Sequence, residues 1–346
     1  MSLLKYSAIA TKVRLMSRNL YNEDDYLSLS SCTTVQECLD NLCETHSYSS
    51  LFEDVSDKDI HRSEIENKLT LSLYNDFAKL YRFANQEQRA FLKICFINYE
   101  VRILKKLLRR LIREETHQNH SDETLFHPFL ADHVSFDLAG IMSATRIEEF
   151  VEILRPTRFY KTLSPIVQTK NQTIELHDYE IALDSTCFYT IWKTKDKNLS
   201  NADKKTITHT WGTTIDLLNL QWIYRAKQYY NLPSDLITSI ILPINYRLSK
   251  DDMVSLINAD TILDFNERLI QTKYHGLLDS VAALQFEEMS KTLRNEIYGK
   301  ESRKNPYSVA ILNHYLHKKE DEIQNITTII EGVRYGVAIT KGRRIS

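Results

Sequence analysis

The chain has 346 residues and a net charge of −2, so it lacks the overall basic excess that is typical of nucleic-acid-binding proteins. Hydrophobic residues make up 42% of it, but no apolar run approaches the roughly 20 residues that span a membrane. It has 7 glycines and neither a G-x-G-x-x-G nor a G-x-x-x-x-G-K-[ST] pattern, which excludes the common nucleotide-binding loops. Scarce glycine, 6 prolines and long stretches of 3.6-residue hydrophobic period predict an all-α protein.

The beginning of the sequence and the cysteines indicate a cytoplasmic protein. Lys5, Lys12 and Arg14 interrupt the opening stretch, which therefore lacks the continuous apolar core of a signal peptide. The 5 cysteines form no C-x-x-C pair, and their number is odd. This usage is typical of reduced thiols in the cytosol.

One acidic and apolar pattern occurs three times, at intervals of about one third of the chain. The segment "DDYLSL" at residues 24–29 aligns with "DDMVSL" at 251–256, and a weaker copy, "FDLAGI", occupies 136–141. A second apolar stretch follows each copy, at residues 35–42, 147–154 and 262–269. These segments, and the tyrosine and acidic residues in the helices that follow them, recur at offsets of 106–116 residues, which predicts an internal repeat.

Each copy also has a tyrosine in one predicted helix and an acidic residue in the next. The tyrosines are Tyr74, Tyr189 and Tyr298, and the acids that follow them after 26, 27 and 24 residues are Glu100, Asp216 and Glu322. Apolar residues lie four and seven positions after each acid, so they share one helix face. The second and third copies carry an asparagine three residues after the acid, Asn219 and Asn325, where the first has Ile103.

An acidic side chain beside an apolar helix face costs free energy if it is buried without a partner. One interpretation is that each of the three acids binds a fixed partner inside its own unit. That partner would be a backbone end, an arginine or a tyrosine hydroxyl, and the tyrosines of the preceding helices are the candidate hydroxyls. The alternative is that the acids lie at the solvent edge of the apolar stripe.

The repeats divide the chain into three helical units, at residues 1–120, 121–242 and 243–346. The segments near the two boundaries are "THQNHSDET" at 116–124 and "LPINYRLS" at 242–249. Both are polar or contain proline, as linkers commonly do. We therefore expect three degenerate copies of one unit of four or five helices.

The segment "YEVRILKKLLRRLIREE" at residues 99–115 carries a basic face. Its cations share one side of the predicted helix, and apolar residues occupy the other. They are Arg102, Lys105, Lys106, Arg109, Arg110 and Arg113. Such a helix binds an acidic partner or an anionic lipid surface, or it is a solvated face paired with acids of the same protein. Nucleic acid is disfavoured because no aromatic residues alternate with the cations.

Four histidines lie close together in the sequence, at His117, His120, His127 and His133. Zinc sites use histidine and carboxylate ligands, but no H-E-x-x-H motif or helical i, i+4 histidine pair is present among them. Neither a G-x-S-x-G elbow nor a distinctive pair of carboxylates occurs. The sequence therefore predicts no metal site, no cofactor and no catalytic residues.

Three segments together resemble the C subunit of the prokaryotic V/A-type ATPases, the homologue of the eukaryotic V-ATPase d subunit. They are "YSAIATKVRLMSRNLYNEDDYLSL", "NYEVRILKKLLRRL" and "YLHKKEDEIQNITTIIEGVRYG". Chain length and threefold division also fit, so the resemblance covers essentially the whole chain. The chain departs from the family pattern at Ile103 and in the weak opening marker of the middle copy.

The resemblance implies three pseudo-threefold-related helical subdomains that form a funnel. In that family the funnel is peripheral, on the cytoplasmic face of the membrane rotor ring, and it receives the central stalk made by the D and F subunits. The soluble part of the stator is a further candidate partner. The implied role is a non-catalytic socket that couples ATP hydrolysis or synthesis to H⁺ or Na⁺ transport, without nucleic acid or a small-molecule substrate. The alternatives are a free helical-repeat scaffold for soluble partners and a helical enzyme that uses the histidines.

Overall fold

The computed structural model describes residues 2–45, 47–53, 60–112, 127–168, 176–275 and 283–337. Within these ranges the secondary structure consists of 17 α-helices, and no strand is present. The prediction of an all-α fold is therefore confirmed.

The helices vary from single turns to rods of more than seven turns. The first nine are α1 (Ser2–Ser17), α2 (Glu23–Ser30), α3 (Val35–Glu44), α4 (Ser49–Phe52), α5 (Arg62–Phe83), α6 (Gln86–Ile112), α7 (Pro128–His133), α8 (Leu138–Ser143) and α9 (Ile147–Ile153). The remaining eight are α10 (Tyr160–Gln168), α11 (Leu176–Asn198), α12 (Asn201–Gln228), α13 (Ser234–Ile240), α14 (Lys250–Ile257), α15 (Ile262–Ile270), α16 (Ala283–Lys304) and α17 (Val309–Arg334).

The short helices begin where the sequence supplies a side chain that caps the free backbone N–H groups. Asn22 and Asp25 form a capping box at the start of α2, and Ser249 and Asp252 form the same box at the start of α14. A threonine oxygen caps both α3 and α15. These caps explain why the two "DD" segments start helices at equivalent places.

The described helices pack into two compact units, here called unit 1 and unit 2, whose bounds differ from those of the three units predicted from the sequence. Unit 1 contains Met1–Arg89, Arg110–Ala144 and Pro306–Ser346. Within it α17 packs against α1, α2, α3 and α5. Ile326, Ile329 and Ile330 of α17 belong to the same hydrophobic cluster as Leu29 and Leu42, so a late segment of the chain completes the core around the early helices.

Unit 2 contains Ala90–Arg109 and Thr145–Asn305. Helix α12 is central to it and packs against α11, α13, α15 and α16. Leu220, Ile223 and Tyr224 of α12 form a core with Phe265 and Phe286, and the Tyr224 and Phe286 rings stack at 5.0 Å.

The same hydrogen bonds follow the second short helix of each predicted copy. A threonine hydroxyl donates to the carbonyl of the leucine three residues earlier, at 2.7, 2.7 and 2.8 Å for Thr45–Leu42, Thr157–Leu154 and Thr272–Leu269. An acid near the start of that helix also accepts from the backbone N–H four residues before it, in the pairs Glu37–Thr33, Glu149–Thr145 and Asp264–Asp260. Local geometry therefore recurs three times, while the three-unit division and the funnel stay predictions.

Candidate functional site

The carboxylate of Glu322 lies at the centre of a buried cluster in unit 1. Glu322 is only 2% exposed, so the interpretation that this acid lies at a solvent edge is wrong. The Tyr48 hydroxyl donates to its Oε1 at 2.6 Å, and the backbone N–H of Tyr21 donates to its Oε2 at 2.6 Å. The Lys319 ammonium, also buried, donates to Oε1 at 2.8 Å and to the Tyr48 oxygen at 2.9 Å.

This cluster holds the start of α2 against α17. Lys319 and Glu322 are three residues apart, so they share one face of α17. Tyr21 immediately precedes the N-cap residue Asn22, so Glu322 fixes the backbone at the point where α2 begins. Burial, and next the negative charge of Glu322, raise the pKa of Tyr48 well above its ordinary value, which keeps that hydroxyl a donor.

Asp216 is the centre of a corresponding cluster in unit 2, where it is 1% exposed. The Tyr274 hydroxyl donates to its Oδ2 at 2.8 Å. The backbone N–H groups of Tyr246, Arg247 and Leu248 donate to the two carboxylate oxygens at 3.3, 2.7 and 3.2 Å. Burial raises the pKa of Asp216, and these hydrogen bonds oppose that rise.

The close approach of the 242–248 segment to α12 depends on Gly212. A Cβ atom at this position would lie 2.4 Å from the Tyr246 ring, so no other residue fits without movement of that ring. The Tyr246 hydroxyl lies 3.0 Å from His209 Nδ1, one turn earlier on α12. One of the chain's few glycines thus allows the backbone that donates to Asp216 to reach it.

The two clusters correspond residue by residue. Leu248 precedes the N-cap of α14 just as Tyr21 precedes that of α2, and Tyr274 follows α15 as Tyr48 follows α3. Thr213 occupies the place of Lys319, three residues before the acid. In the remaining copy the equivalent residues are Glu100, Ile97 and Phe159, all buried, and the last two lack polar side-chain groups.

The tyrosines named from the sequence are not the hydroxyls of these two clusters. The prediction that each acid binds a partner inside its own predicted unit is wrong for both clusters, because the partners come from another third of the chain. Tyr48 and Tyr274 donate to the acids, whereas Tyr298 lies 3.3 Å from the Thr214 hydroxyl. Tyr74 and Tyr298 are buried, but Tyr189 is 48% exposed, with the Lys193 ammonium 4.2 Å from its ring centre. The sequence pattern that identifies the correct hydroxyls is a tyrosine two or three residues after the threonine that follows the second short helix.

The two repeated asparagines are buried and structural in character. The Asn219 amide donates to the Leu242 carbonyl at 3.0 Å and accepts from the Leu242 N–H at 2.8 Å, which anchors the chain after α13. Asn325 is 6% exposed on α17. Burial raises the pKa of Tyr26, and a hydrogen bond with Asn325 partly offsets this rise.

Part of the basic face of α6 is paired with α11 inside unit 2. Lys105 donates to Asp184 at 2.5 Å, and Arg109 donates to Glu180 at 2.5 Å. Burial raises the pKa of Glu180, but the Arg109 hydrogen bond and charge lower it overall.

The other cations of the face are placed differently. Arg102 lies 5.6 Å from the ring centre of Tyr99, Lys106 and Arg110 are half-buried, and Arg113 lies outside the described residues. At Lys105 and Arg109 the basic face is neutralised by acids of the same protein, which agrees with the interpretation of a solvated, internally paired face. The partner-binding role predicted for these residues stays a prediction.

His127 and His133, the two described histidines of the sequence cluster, have protein partners. His127 Nε2 lies 3.2 Å from Asn75 Oδ1, and His133 Nδ1 lies 3.0 Å from the Phe129 carbonyl. His117 and His120 lie outside the described residues. Across the ranges that the structure covers, no group of three or more His, Cys, Asp or Glu side chains is arranged to hold a metal ion. In the same ranges, no helix has the length and apolar character needed to cross a bilayer.

The fold and these clusters define an all-helical protein whose buried carboxylates tie helix starts to long helices. The family model described as ATP synthase (C/AC39) subunit matches residues 9–343, and the chain belongs to that family. It is thus a non-catalytic component of a rotary ATPase, and it forms a complex with the other components.

Three curated relatives are each named as the C subunit of an A-type ATP synthase. The protein of Methanosphaera stadtmanae is 23% identical over 95% of this chain and 84% of its own length. The protein of Methanocaldococcus jannaschii is 23% identical over 95% of this chain and 83% of its own length. The protein of Pyrococcus abyssi is 22% identical over 96% and 87%.

Proposed function

We propose that the chain is the non-catalytic socket between the central stalk and the membrane rotor ring of a rotary ATPase. In this role it receives the foot of the stalk, formed by the D and F subunits, and rests on the cytoplasmic face of the ring. It transmits torque, and so couples ATP hydrolysis or synthesis to ion transport. The observation that carries the proposal is the family match over residues 9–343, which leaves almost none of the chain for a different function.

The use of the buried carboxylates supports a mechanical role. A catalytic acid has to reach a substrate, whereas Glu322 and Asp216 are directed at backbone N–H groups and tyrosine hydroxyls inside the protein. Their hydrogen bonds join helix starts to long helices, and densely packed helices resist deformation. A part that transmits torque needs such stiffness.

The partner-binding surface proposed from the sequence lies on α6. Arg102 projects from this helix as an exposed cation, and Arg110 is half-buried further along it. Exposed charges steer association with an acidic partner and are screened by salt over about 8 Å at physiological ionic strength. We propose that these residues contribute to assembly with the stalk, the ring or the soluble part of the stator.

Reconstitution tests the socket. The soluble head and the membrane sector of the complex are combined in vesicles with and without the purified protein, and ATP hydrolysis and ATP-driven ion uptake are measured. Without the protein, hydrolysis by the head should continue and ion uptake should be absent, because torque has no path to the ring. A permanent socket should bury more than about 2,000 Å² with its partners. Full uptake without the protein would instead favour a free scaffold.

A charge-reversal variant tests the surface on α6. Arg102→Glu with Arg110→Glu should weaken co-purification with the other components of the complex, most clearly at low salt. Lys161→Glu, at an exposed position of α10, is the matched control and should assemble normally. Equal assembly of both variants at all salt concentrations would assign the basic face to internal pairing and solvation.

A further inference from the structure

A polar recess in unit 1 lies next to the Glu322 cluster. It has a volume of about 280 Å³ and is formed by α1, α5, α17 and the residues around Ser47 and Ser50. A second, shallower depression of about 540 Å³ shares Lys12 and Lys79 with it and adds Arg82 and Phe83. Because the two share residues, they form one continuous groove, here called the α1–α5 groove.

The α1–α5 groove has an excess of positive charge. Lys12, Lys79 and Arg82 border it, and the buried Lys319 lines the recess. Asp76 is the one carboxylate among the described residues of the lining, and it accepts from the Tyr315 hydroxyl at 2.6 Å and from Lys79 at 3.1 Å. With Glu322 set against Lys319, the groove still carries a net charge of about +2.

Lys12 is the cation most available to a ligand. Among the described residues no carboxylate pairs with it, and its ammonium lies 5.3 Å from the centre of the Phe83 ring. Lys319 has acceptors for two of its three N–H donors, Tyr48 and Glu322. A carboxylate that entered the recess would therefore meet the Lys12 ammonium and hydroxyl and amide groups, including those of Ser50 and Asn75.

Two large apolar side chains border the same groove. Leu15 is 52% exposed and Phe83 is 58% exposed. Exposed aromatic groups and arginine are enriched at protein-binding surfaces, and charges of one sign on such a surface select a partner of opposite charge. A free inorganic anion would gain nothing from Leu15 and Phe83, and a flat lipid surface would not fill a recess with a buried lysine in its lining.

We propose that the α1–α5 groove binds a segment of a partner protein that carries acidic side chains next to an aliphatic side chain. The acidic groups pair with Lys12, Lys79 and Arg82, and the aliphatic group covers Leu15 and Phe83. The proposal depends on this surface alone and not on the socket role. A failure of the vesicle reconstitution would leave it standing, and its own failure would leave the socket standing.

A peptide-binding experiment tests the groove. The probe is a fluorescein-labelled ten-residue peptide of alternating glutamate and leucine, mixed with the full-length protein and followed by fluorescence anisotropy. We expect saturable binding that weakens with salt, and no binding of the same peptide with lysine in place of glutamate. The double variant Lys12→Glu, Lys79→Glu should bind about tenfold more weakly.

Further variants separate local binding from general effects. Glutamate at position 79 would repel Asp76, which Lys79 contacts, and could disturb folding. The neutral pair Lys12→Gln, Lys79→Gln avoids this repulsion and serves as a second variant, with circular dichroism melting as a check of folding. Phe83→Ser should weaken binding without changing its dependence on salt. Lys318→Glu changes an exposed lysine of α17 outside the groove and should bind like the unchanged protein.

Three outcomes would overturn the proposal. The first is the absence of saturation by the peptide at about millimolar concentration. The second is equal binding by the groove variants and Lys318→Glu, which would place the site elsewhere. The third is sedimentation of the protein with phosphatidylglycerol vesicles through the same lysines while the peptide fails to bind, which would assign the groove to a lipid surface.

Discussion

The carboxylate of Glu322 in unit 1 has a buried ammonium three residues before it, whereas Asp216 in unit 2 has Thr213 at that place. Asp216 instead accepts from three backbone N–H groups, and Glu322 accepts from one. Both accept a tyrosine hydroxyl. A buried carboxylate can thus be stabilised either by a counter-charge or by a larger number of neutral donors.

The difference decides what remains when the acid is removed. In unit 1 the remaining group is a buried ammonium, and in unit 2 it is a set of backbone N–H groups. A buried charge without its partner costs more than a backbone N–H group without an acceptor, so loss of the carboxylate should cost more in unit 1 than in unit 2.

The largest effect is expected for Glu322→Ala. It leaves Lys319 buried without its carboxylate, which should lower the free energy of unfolding by about 3–5 kcal/mol. Urea unfolding followed by circular dichroism measures this change. Lys318→Ala, on the exposed side of the same helix, is the control and should stay within about 0.5 kcal/mol of the unchanged protein. A loss below about 1 kcal/mol for Glu322→Ala would show that Lys319 finds another partner or water.

Asp216→Asn should have a smaller effect, a loss of about 1–3 kcal/mol. The amide keeps one acceptor oxygen, but it turns an N–H₂ group toward donors that then lack an acceptor. No buried cation is left behind. The same urea experiment measures the loss, and a larger loss than for Glu322→Ala would contradict the distinction between the two clusters.

Removal of the tyrosine hydroxyls should cost less again. Tyr274→Phe is expected to lower the free energy of unfolding by about 1 kcal/mol, because one hydrogen bond is lost while the ring stays. Tyr48→Phe should cost about 1–2 kcal/mol, because its hydroxyl donates to Glu322 and also accepts from Lys319. Phe159 occupies the equivalent buried place in the remaining copy, so a phenyl ring fits there. Tyr189→Phe, at an exposed position, is the control with no expected change. Indistinguishable melting of all three variants would mean that the hydroxyls contribute nothing net.

The smallest effect is a pH dependence that belongs to Asp216. Burial raises its pKa above the ordinary value, so the folded chain keeps this proton at pH values where the unfolded chain has lost it. The contribution of Asp216 to stability is therefore largest below the pKa that this group has in the unfolded chain, and it falls as pH rises from there through the raised pKa of the folded protein. The difference in unfolding free energy between the unchanged protein and Asp216→Asn should shrink over this range. A constant difference would show that Asp216 does not titrate there.

The helices and the repeated acids could be predicted because both depend on local spacing. A 3.6-residue period identifies a helix, and an acid at the same place in three apolar helices stands out without coordinates. The acids' partners could not be found in this way. Tyr48 lies 274 residues before Glu322, and Tyr274 lies 58 residues after Asp216, so each hydroxyl comes from another part of the chain.

The ion-pair partners of the basic face could not be predicted from local spacing either. Spacing alone places Lys105 and Arg109 on one side of α6, and this holds in the structure. Nothing in that spacing indicates that Asp184 and Glu180 of α11 lie against them. A charge pattern on one helix predicts a shared face, whereas neutralisation depends on the neighbouring helix.

The packing of α17 against α1, α2, α3 and α5 has a consequence for how the protein is made. A ribosome that adds about 5–20 residues per second needs roughly 15–60 s to go from α2 to α17. During that time the nascent chain has helices α2 and α3 but not the isoleucines of α17 that cover them. All of unit 2 is synthesised before residue 306, whereas unit 1 lacks α17 until the end of synthesis and keeps apolar surface exposed. The apolar side chains of α2 and α3 that α17 covers therefore stay without this partner on the growing chain until synthesis reaches α17.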